Sequence, residues 1–284
     1  MKTFRMIGMA LLAILLSVNL VSCDKDEDGT TGGGSGAATG SGVSLGNGKK
    51  LVRMMEYSVR DEVQELKSMT ELKYDAQGRV IEAKKKKKDD EGSWKPDNAK
   101  ISWESNKVTL SFESYEDEYF TYMLSGGKIS KGSYSYWSED DSEWYTRGGN
   151  FIYDKDGHIK ETFEEGGNGE KVALTSFIWN NDRLSLIDDG YYSYNFRYDG
   201  QTCNGFNPML YLLYGGNDYY IFIAHPELVG LETTHLPSKC FNSLGSMTTL
   251  LEYELDSDGY VIGCTTCRGN EYYSETRYYE FAWE

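Results

Sequence analysis

One short unit recurs along this chain and limits what the chain can fold into. Tyr74-Asp75-Ala76-Gln77-Gly78-Arg79-Val80 returns as Tyr153-Asp154-Lys155-Asp156-Gly157-His158-Ile159, and again, with Leu for Tyr, as Leu255-Asp256-Ser257-Asp258-Gly259-Tyr260-Val261. Each copy sets an apolar or aromatic residue before a tight polar loop and an apolar residue after it. The aspartate can hydrogen-bond its own backbone, and the glycine accepts the positive φ that closes a hairpin. A tryptophan variant lies between the copies, at Trp103-Glu104-Ser105-Asn106-Lys107-Val108 and Trp179-Asn180-Asn181-Asp182-Arg183-Leu184. A weaker copy spans Tyr122 to Ile129 through Gly126 and Gly127. The unit is a hairpin signal, so the chain is expected to fold as hairpin after hairpin.

The flanks alternate as strands should. Val108, Leu110 and Phe112 fall on one face and Thr109, Ser111 and Glu113 on the other, and Tyr279, Phe281 and Trp283 repeat the pattern at the C-terminus. No proline interrupts residues 97–207, so nothing there bars a continuous antiparallel meander. The marks at Tyr74, Trp103 and Tyr122 reappear at Tyr153, Trp179 and Tyr198, a set of three that recurs after about 76–79 residues. From Asn204 to about Gly245 the pattern changes. Pro208 stands at a first helical position, an apolar run reaches Tyr214, and Gly215 follows. Such a helix should be buried, and Pro226–Gly230 suggests a second short helical turn. The expected fold is mostly β: a single curved antiparallel sheet of repeated hairpins, a half-barrel or partly closed barrel, with one or two short helices plugging its concave side.

The N-terminus carries a different message. Lys2 and Arg5 precede an apolar run from Met6 that reaches Val21 with polar interruptions. Its core is short for a transmembrane helix, which needs roughly 20 apolar residues, and fits a secretory signal. The run ends in Leu20-Val21-Ser22-Cys23, which resembles the lipobox of bacterial lipoproteins. That resemblance implies lipidation of Cys23 and cleavage before it. Residues 1–22 are therefore expected to be a signal peptide and 23–48 a lipid-anchored Gly/Ser linker, leaving 49–284 as the β-hairpin domain. A tether of this composition would hold the domain about 25–30 Å from the bilayer. The acidic cluster Asp24 to Asp28 resembles the surface-export signal of some Gram-negative lipoproteins. The expected location is the outer membrane, lipid-anchored, at the cell surface.

Charge narrows the partners. The formal net charge is −16, and loss of Lys2 and Arg5 with the signal takes it to −18. A field of that sign repels nucleic acid and anionic headgroups. The Lys84–Lys88 run is answered at once by Asp89, Asp90 and Glu91 and reads as a solvated strand end or loop. The membrane, through the lipid anchor, and a glycan, an apolar ligand or a protein remain as partner classes.

Four cysteines lie in the domain: Cys203, Cys240, Cys264 and Cys267. Outside the cytosol they are candidates for one or two disulfides or for free buried thiols. The Cys264–Cys267 spacing also admits zinc or redox chemistry, but its β-branched surroundings are unlike the helix N-terminus that redox pairs use. The three histidines, His158, His225 and His235, form no metal or triad spacing, and the Asp-rich turns lack the ligand set of a calcium loop. No cofactor, no metal and no enzymatic activity is expected. The aromatic load is more suggestive, with 23 tyrosines and six tryptophans. Tyr134, Tyr136, Trp137 and Trp144 form a candidate binding platform, against the plainer reading that strands favour aromatics anyway.

Taken in order, the hairpin units, the tryptophan variants and the late Leu236-Pro237-Ser238-Lys239 segment behind a lipobox resemble a bacterial lipoprotein family of unknown function with a porin-like fold. The hairpins are also similar to single YD repeats. The resemblance spans about Leu51 to the C-terminus. It implies a curled antiparallel sheet with short helices and brings no catalytic residues. The function expected is that of a non-enzymatic binding or scaffolding module, with a carrier of an apolar ligand and a glycan-binding surface protein as alternatives.

Overall fold

The structure, a computed structural model, describes residues 48–284 apart from 90, 139–142, 167, 215–218, 243–246 and 271–272. The chain divides into residues 1–39 and 40–284, and the described residues lie in the second unit. The expected signal peptide and the lipidated Cys23 fall outside them, as does all of the linker but Gly48.

The strands run in sequence around a wall. The first group is β1 (Leu51–Arg60), β2 (Val63–Tyr74), β3 (Val80–Lys88), β4 (Trp94–Pro96), β5 (Ala99–Trp103) and β6 (Lys107–Phe112). Next come β7 (Tyr115–Ser125), β8 (Lys128–Ser138), β9 (Glu143–Tyr153), β10 (Ile159–Glu165), β11 (Lys171–Asn180) and β12 (Arg183–Asp188). After β13 (Ser193–Thr202) the chain forms three short helices, α1 (Met209–Tyr214), α2 (Tyr219–Ala224) and α3 (Pro226–Val229). It then completes the wall with β14 (His235–Asn242), β15 (Thr248–Leu255), β16 (Val261–Gly269) and β17 (Ser274–Trp283).

Every strand pairs antiparallel with its sequence neighbours, except that β3 pairs with both β4 and β5, which share one stave. The last strand returns to the first: Met54 faces Phe281 and Glu56 faces Tyr279 across β1–β17. The sheet is therefore a closed barrel of sixteen staves. The half-barrel or partly closed sheet expected from sequence is thus corrected. A curved sheet that continued to add hairpins met its own edge, and closure removes the unpaired rows of N–H and C=O that an open edge would expose. Three short helices, rather than one or two, occupy part of the interior.

The recurring units build one end of this barrel. Asp75 Oδ1 accepts from the Gln77 and Arg79 amides at 2.9 Å each, and Asp154 and Asp256 make the matching pairs in their own turns. Asn181 and Asp182 both take positive φ, giving β11–β12 the two-residue turn that matches strand twist. At the same end the aromatic residues of the repeat satisfy strand-end carbonyls. Trp103, Trp179 and Trp283 donate Nε1–H to the carbonyls of Val80, Ile159 and Val261 at 2.7–2.8 Å. Tyr74, Tyr153 and Tyr198 donate their hydroxyls to Leu51, Ile129 and Leu184. The Tyr198-Asp199-Gly200 mark departs from this scheme: it lies within β13 at a register break, and the chain runs on into the helices instead of turning.

A barrel this wide leaves a lumen that wall side chains cannot fill. The segment between β13 and β14 fills its turn-built end. Met209, Leu210, Ile223, Leu228 and Val229 are buried with Val80, Leu110, Ile129, Ile159 and Leu184 of the wall. His225 fixes α3 in place: its Nε2 accepts the Val80 amide at 3.0 Å, so Nδ1 carries the proton and faces Glu227 Oε1 at 3.1 Å. Gly230 ends α3 at φ 63° and passes its carbonyl to the Ile159 amide at 3.0 Å.

The outer face of the wall is mixed: Met123, Ile152, Leu174, Ile178, Leu250 and Ile262 are exposed on it, whereas the stretch on β2, β3 and β5 is charged. Lys73, Glu82 and Lys100 stand in register across β2, β3 and β5, beside Glu71 and Lys84. Among the described residues no helix is long and apolar enough to cross a membrane.

Candidate functional site

The plug fills only one end. Along β17 the inward positions change from Phe281 and Tyr279 near the plug to Arg277 and Glu275 toward the other end, and along β16 from Cys264 to Thr266 and Arg268. The same alternation that makes a core at one end thus lines the other with polar groups. Between them lies a cavity of about 550 Å³. Its floor is Met209 and Leu212 of α1, its walls carry Thr249 and Thr266, and Tyr192 and Tyr194 stand on the β13 side.

Two arginines reach this space, and they differ. Arg277 is held between carboxylates: Nη2 lies 2.8 Å from Glu275 Oε1, and Nη1 contacts Glu56. Burial disfavours the Arg277 charge, but the two carboxylates outweigh it and hold the guanidinium firmly protonated. Arg268 stands in register with Glu275 on one side and Thr249 on the other. It makes no ion pair and no side-chain hydrogen bond with any described residue. Tyr279, beneath Arg277, has its hydroxyl pushed up to about 12, chiefly by burial and then by Glu56. Lys85 also faces inward, opposite Thr70, with its side chain 13 % exposed and its ammonium 3.8 Å from Asp97. Burial lowers its pKa against the pull of Asp97 and Glu56. The lysine run is the end of strand β3, one of the two sequence readings, but Lys85 is turned into the lumen instead of being solvated.

The four residues of the aromatic platform divide between two faces. Tyr134 and Tyr136 share the lumen side of β8, where Phe120, Tyr134 and Tyr136 stack at centroid spacings of 4.7 and 5.4 Å. Trp137 and Trp144 pair across β8 and β9 on the outer face, 5.9 Å apart, and Tyr119 lies 5.8 Å from Trp144. These three outer rings are 37–50 % exposed. Alternation puts 134 and 136 together in the sequence itself; Tyr119 joins through strand pairing, which the sequence does not display.

All four domain cysteines are free thiols in this structure. Cys264 faces the lumen opposite Tyr253, whereas Cys267, three residues on, faces outward opposite Leu250. That geometry places the two sulfurs of the Cys264-x-x-Cys267 spacing on opposite faces of the sheet. Burial pushes the Cys203 and Cys240 thiols up to about 12, the opposite of what a nucleophile or metal ligand needs. Among the described residues no group of three His, Cys, Asp or Glu could hold a metal ion.

Similarity to known proteins is confined to the fold. A porin-like protein from Bacteroides uniformis matches with a TM-score of 0.63 at 16% identity, covering 82% of this chain and 98% of that one. A porin-like protein from Bacteroides vulgatus matches with a TM-score of 0.50 at 13% identity, covering 81% and 97%. The barrel fold is a porin-like one. No family model and no curated protein sequence matches the chain.

Proposed function

We propose that this chain is a non-enzymatic binding protein, tethered to the outer membrane by lipid on Cys23, that admits a small ligand through the unplugged end of its barrel. The observation that carries the reading is the unequal filling of the lumen. Apolar helices take up the whole of one end, and the other keeps a cavity within the roughly 300–1,000 Å³ of small-molecule sites. A carrier of a bulky lipid in a concave sheet loses its place, because the concave sheet is a closed wall and its apolar half is occupied. Lys73, Glu82 and Lys100 break any apolar band across the outer face of β2, β3 and β5, where hydrocarbon would need one about 25 Å tall. Contact with the bilayer would then fall to the acyl chains. The first and last strands of the barrel meet at the plugged end, where Lys50 and Glu284 exchange backbone hydrogen bonds.

Native mass spectrometry tests the cavity. The mature chain, dialysed against a small-molecule extract of spent bacterial medium, should carry a one-to-one adduct below about 1 kDa. Thr266→Trp, which fills the space, should lose it. A bare mass in both samples would sink the reading. Cys23→Ser tests the tether separately, since it should move the chain from the membrane to the soluble fraction.

A second reading rests on the outer cluster of Tyr119, Trp137 and Trp144, whose exposed rings could stack on a sugar. Retention on an immobilised glycan array that Trp144→Ala abolishes, with the cavity variant unaffected, would favour it.

A further inference from the structure

We infer that the cavity takes a small monocarboxylate with an apolar or aromatic body, and that Arg268 is its anchor. The inference rests on the cavity being the binding site and specifies what enters it. Every other inward-facing cation named above is ion-paired: Arg277 with Glu275 and Glu56, and Lys85 with Asp97. Arg268 alone among these brings a guanidinium to the cavity with its donors uncommitted to any described side chain. A planar fork of N–H groups fits a carboxylate through two parallel bonds, a geometry that a neutral hydroxyl or amide does not reproduce.

Charge favours one negative unit over two. Glu275 stands directly across from Arg268, and the chain as a whole is strongly acidic. One uncommitted guanidinium balances a carboxylate, whereas a phosphate dianion would bring an extra charge into a repulsive field. The rest of the lining describes the body of the ligand. Met209, Leu212 and the ring of Tyr279 form an apolar floor, Thr249 stands level with Arg268, and Thr266 lies one inward position deeper. An apolar or aromatic stem would lie on the floor with its carboxylate raised to Arg268.

The test uses 4-phenylbutyrate, its neutral amide and phenyl phosphate as probes of the full mature chain, by ligand-observed NMR and calorimetry. The carboxylate is expected to bind at least about tenfold more tightly than the amide, the gain of a charge-assisted pair. Arg268→Gln should erase that difference without shifting the thermal midpoint, and Arg268→Lys should keep part of it. Equal binding of carboxylate and amide, both blocked by Thr266→Trp, would overturn the ligand class while leaving the cavity as the site. Tighter binding of the phosphate would also overturn it. Failure of the carboxylate to bind at all overturns the inference, and the extract experiment above then decides whether the cavity binds anything else.

Discussion

The two ends of the barrel are made from the same strands and the same alternation, yet only one is locked. At the plugged end the turns are short and hydrogen-bonded by their own aspartates, six aromatic tips hold strand-end carbonyls, and helices fill the space between. At the other end the inward positions of β16 and β17 are Arg, Glu and Thr, and a cavity remains beside them. Rigidity and binding capacity are thus separated along one axis. Sites that bind are drawn from regions with fewer buried apolar contacts, and a firm scaffold behind them limits what that costs in order.

Substitutions at the two ends should therefore behave differently. The largest effect is expected in the plug. Leu228→Ala removes a fully buried side chain and should cost about 2–5 kcal/mol in urea unfolding. Gly230→Ala belongs with it, because an added Cβ would lie 2.4 Å from the Gly157 carbonyl at a φ of 63°. Arg268→Gln at the mouth should stay within about 0.5 kcal/mol of the parent. Equal losses at both sites would erase the distinction drawn here.

Next in size is His225→Ala, which leaves the buried Val80 amide without its acceptor and should cost about 1–3 kcal/mol. Hydrogen exchange would sharpen the point, since protection should fall at Val80 and α3 and hold along β16 and β17. Trp179→Phe keeps the ring but removes the bond to the Ile159 carbonyl, for about 1 kcal/mol.

The smallest effect is a pH dependence to which the turn aspartates contribute. Burial pulls the Asp75 and Asp154 carboxyls up, but Arg79 in the first, the local backbone amides in the second and His158 beside it outweigh this and hold both below the usual range. Asp256 is lowered chiefly by the Tyr260 amide. A depressed folded pKa gives stability that is present above the unfolded carboxylate range, near 4, and lost as pH falls through the folded value. The urea midpoint should drop modestly below about pH 4, and Asp154→Asn should flatten the drop. A midpoint that rose on acidification would contradict the assignment.

How much of this could be read in the sequence follows the same axis. The Asp-x-x-Gly turns, the alternation on β6 and β17 and the buried helix after Pro208 are local signals, set by φ preferences and by hydrogen bonds within a few residues. Closure was missed because it depends on pairings such as Met54 with Phe281, which no local pattern announces. The mouth was missed for a related reason. Arg268 and Arg277 are ordinary strand cations in sequence, and only the stave count and the plug's position show that they face a space. The split of the platform had a visible clue, since 136 and 137 must point to opposite sides of one strand, as must 134 and 137.

The β1–β17 seam has a consequence for how the molecule is made and how it can be rearranged. Its first and last strands are neighbours, so the ring cannot be sealed until the last strand, Ser274–Trp283, has been made. Until then the incomplete barrel carries two bare edges, each a row of unpaired N–H and C=O groups. The same adjacency makes the chain a natural subject for circular permutation. A short peptide joining Glu284 to Lys49, with new ends cut at the Asp61–Glu62 turn, should give a ring of the same order that begins and ends at the mouth.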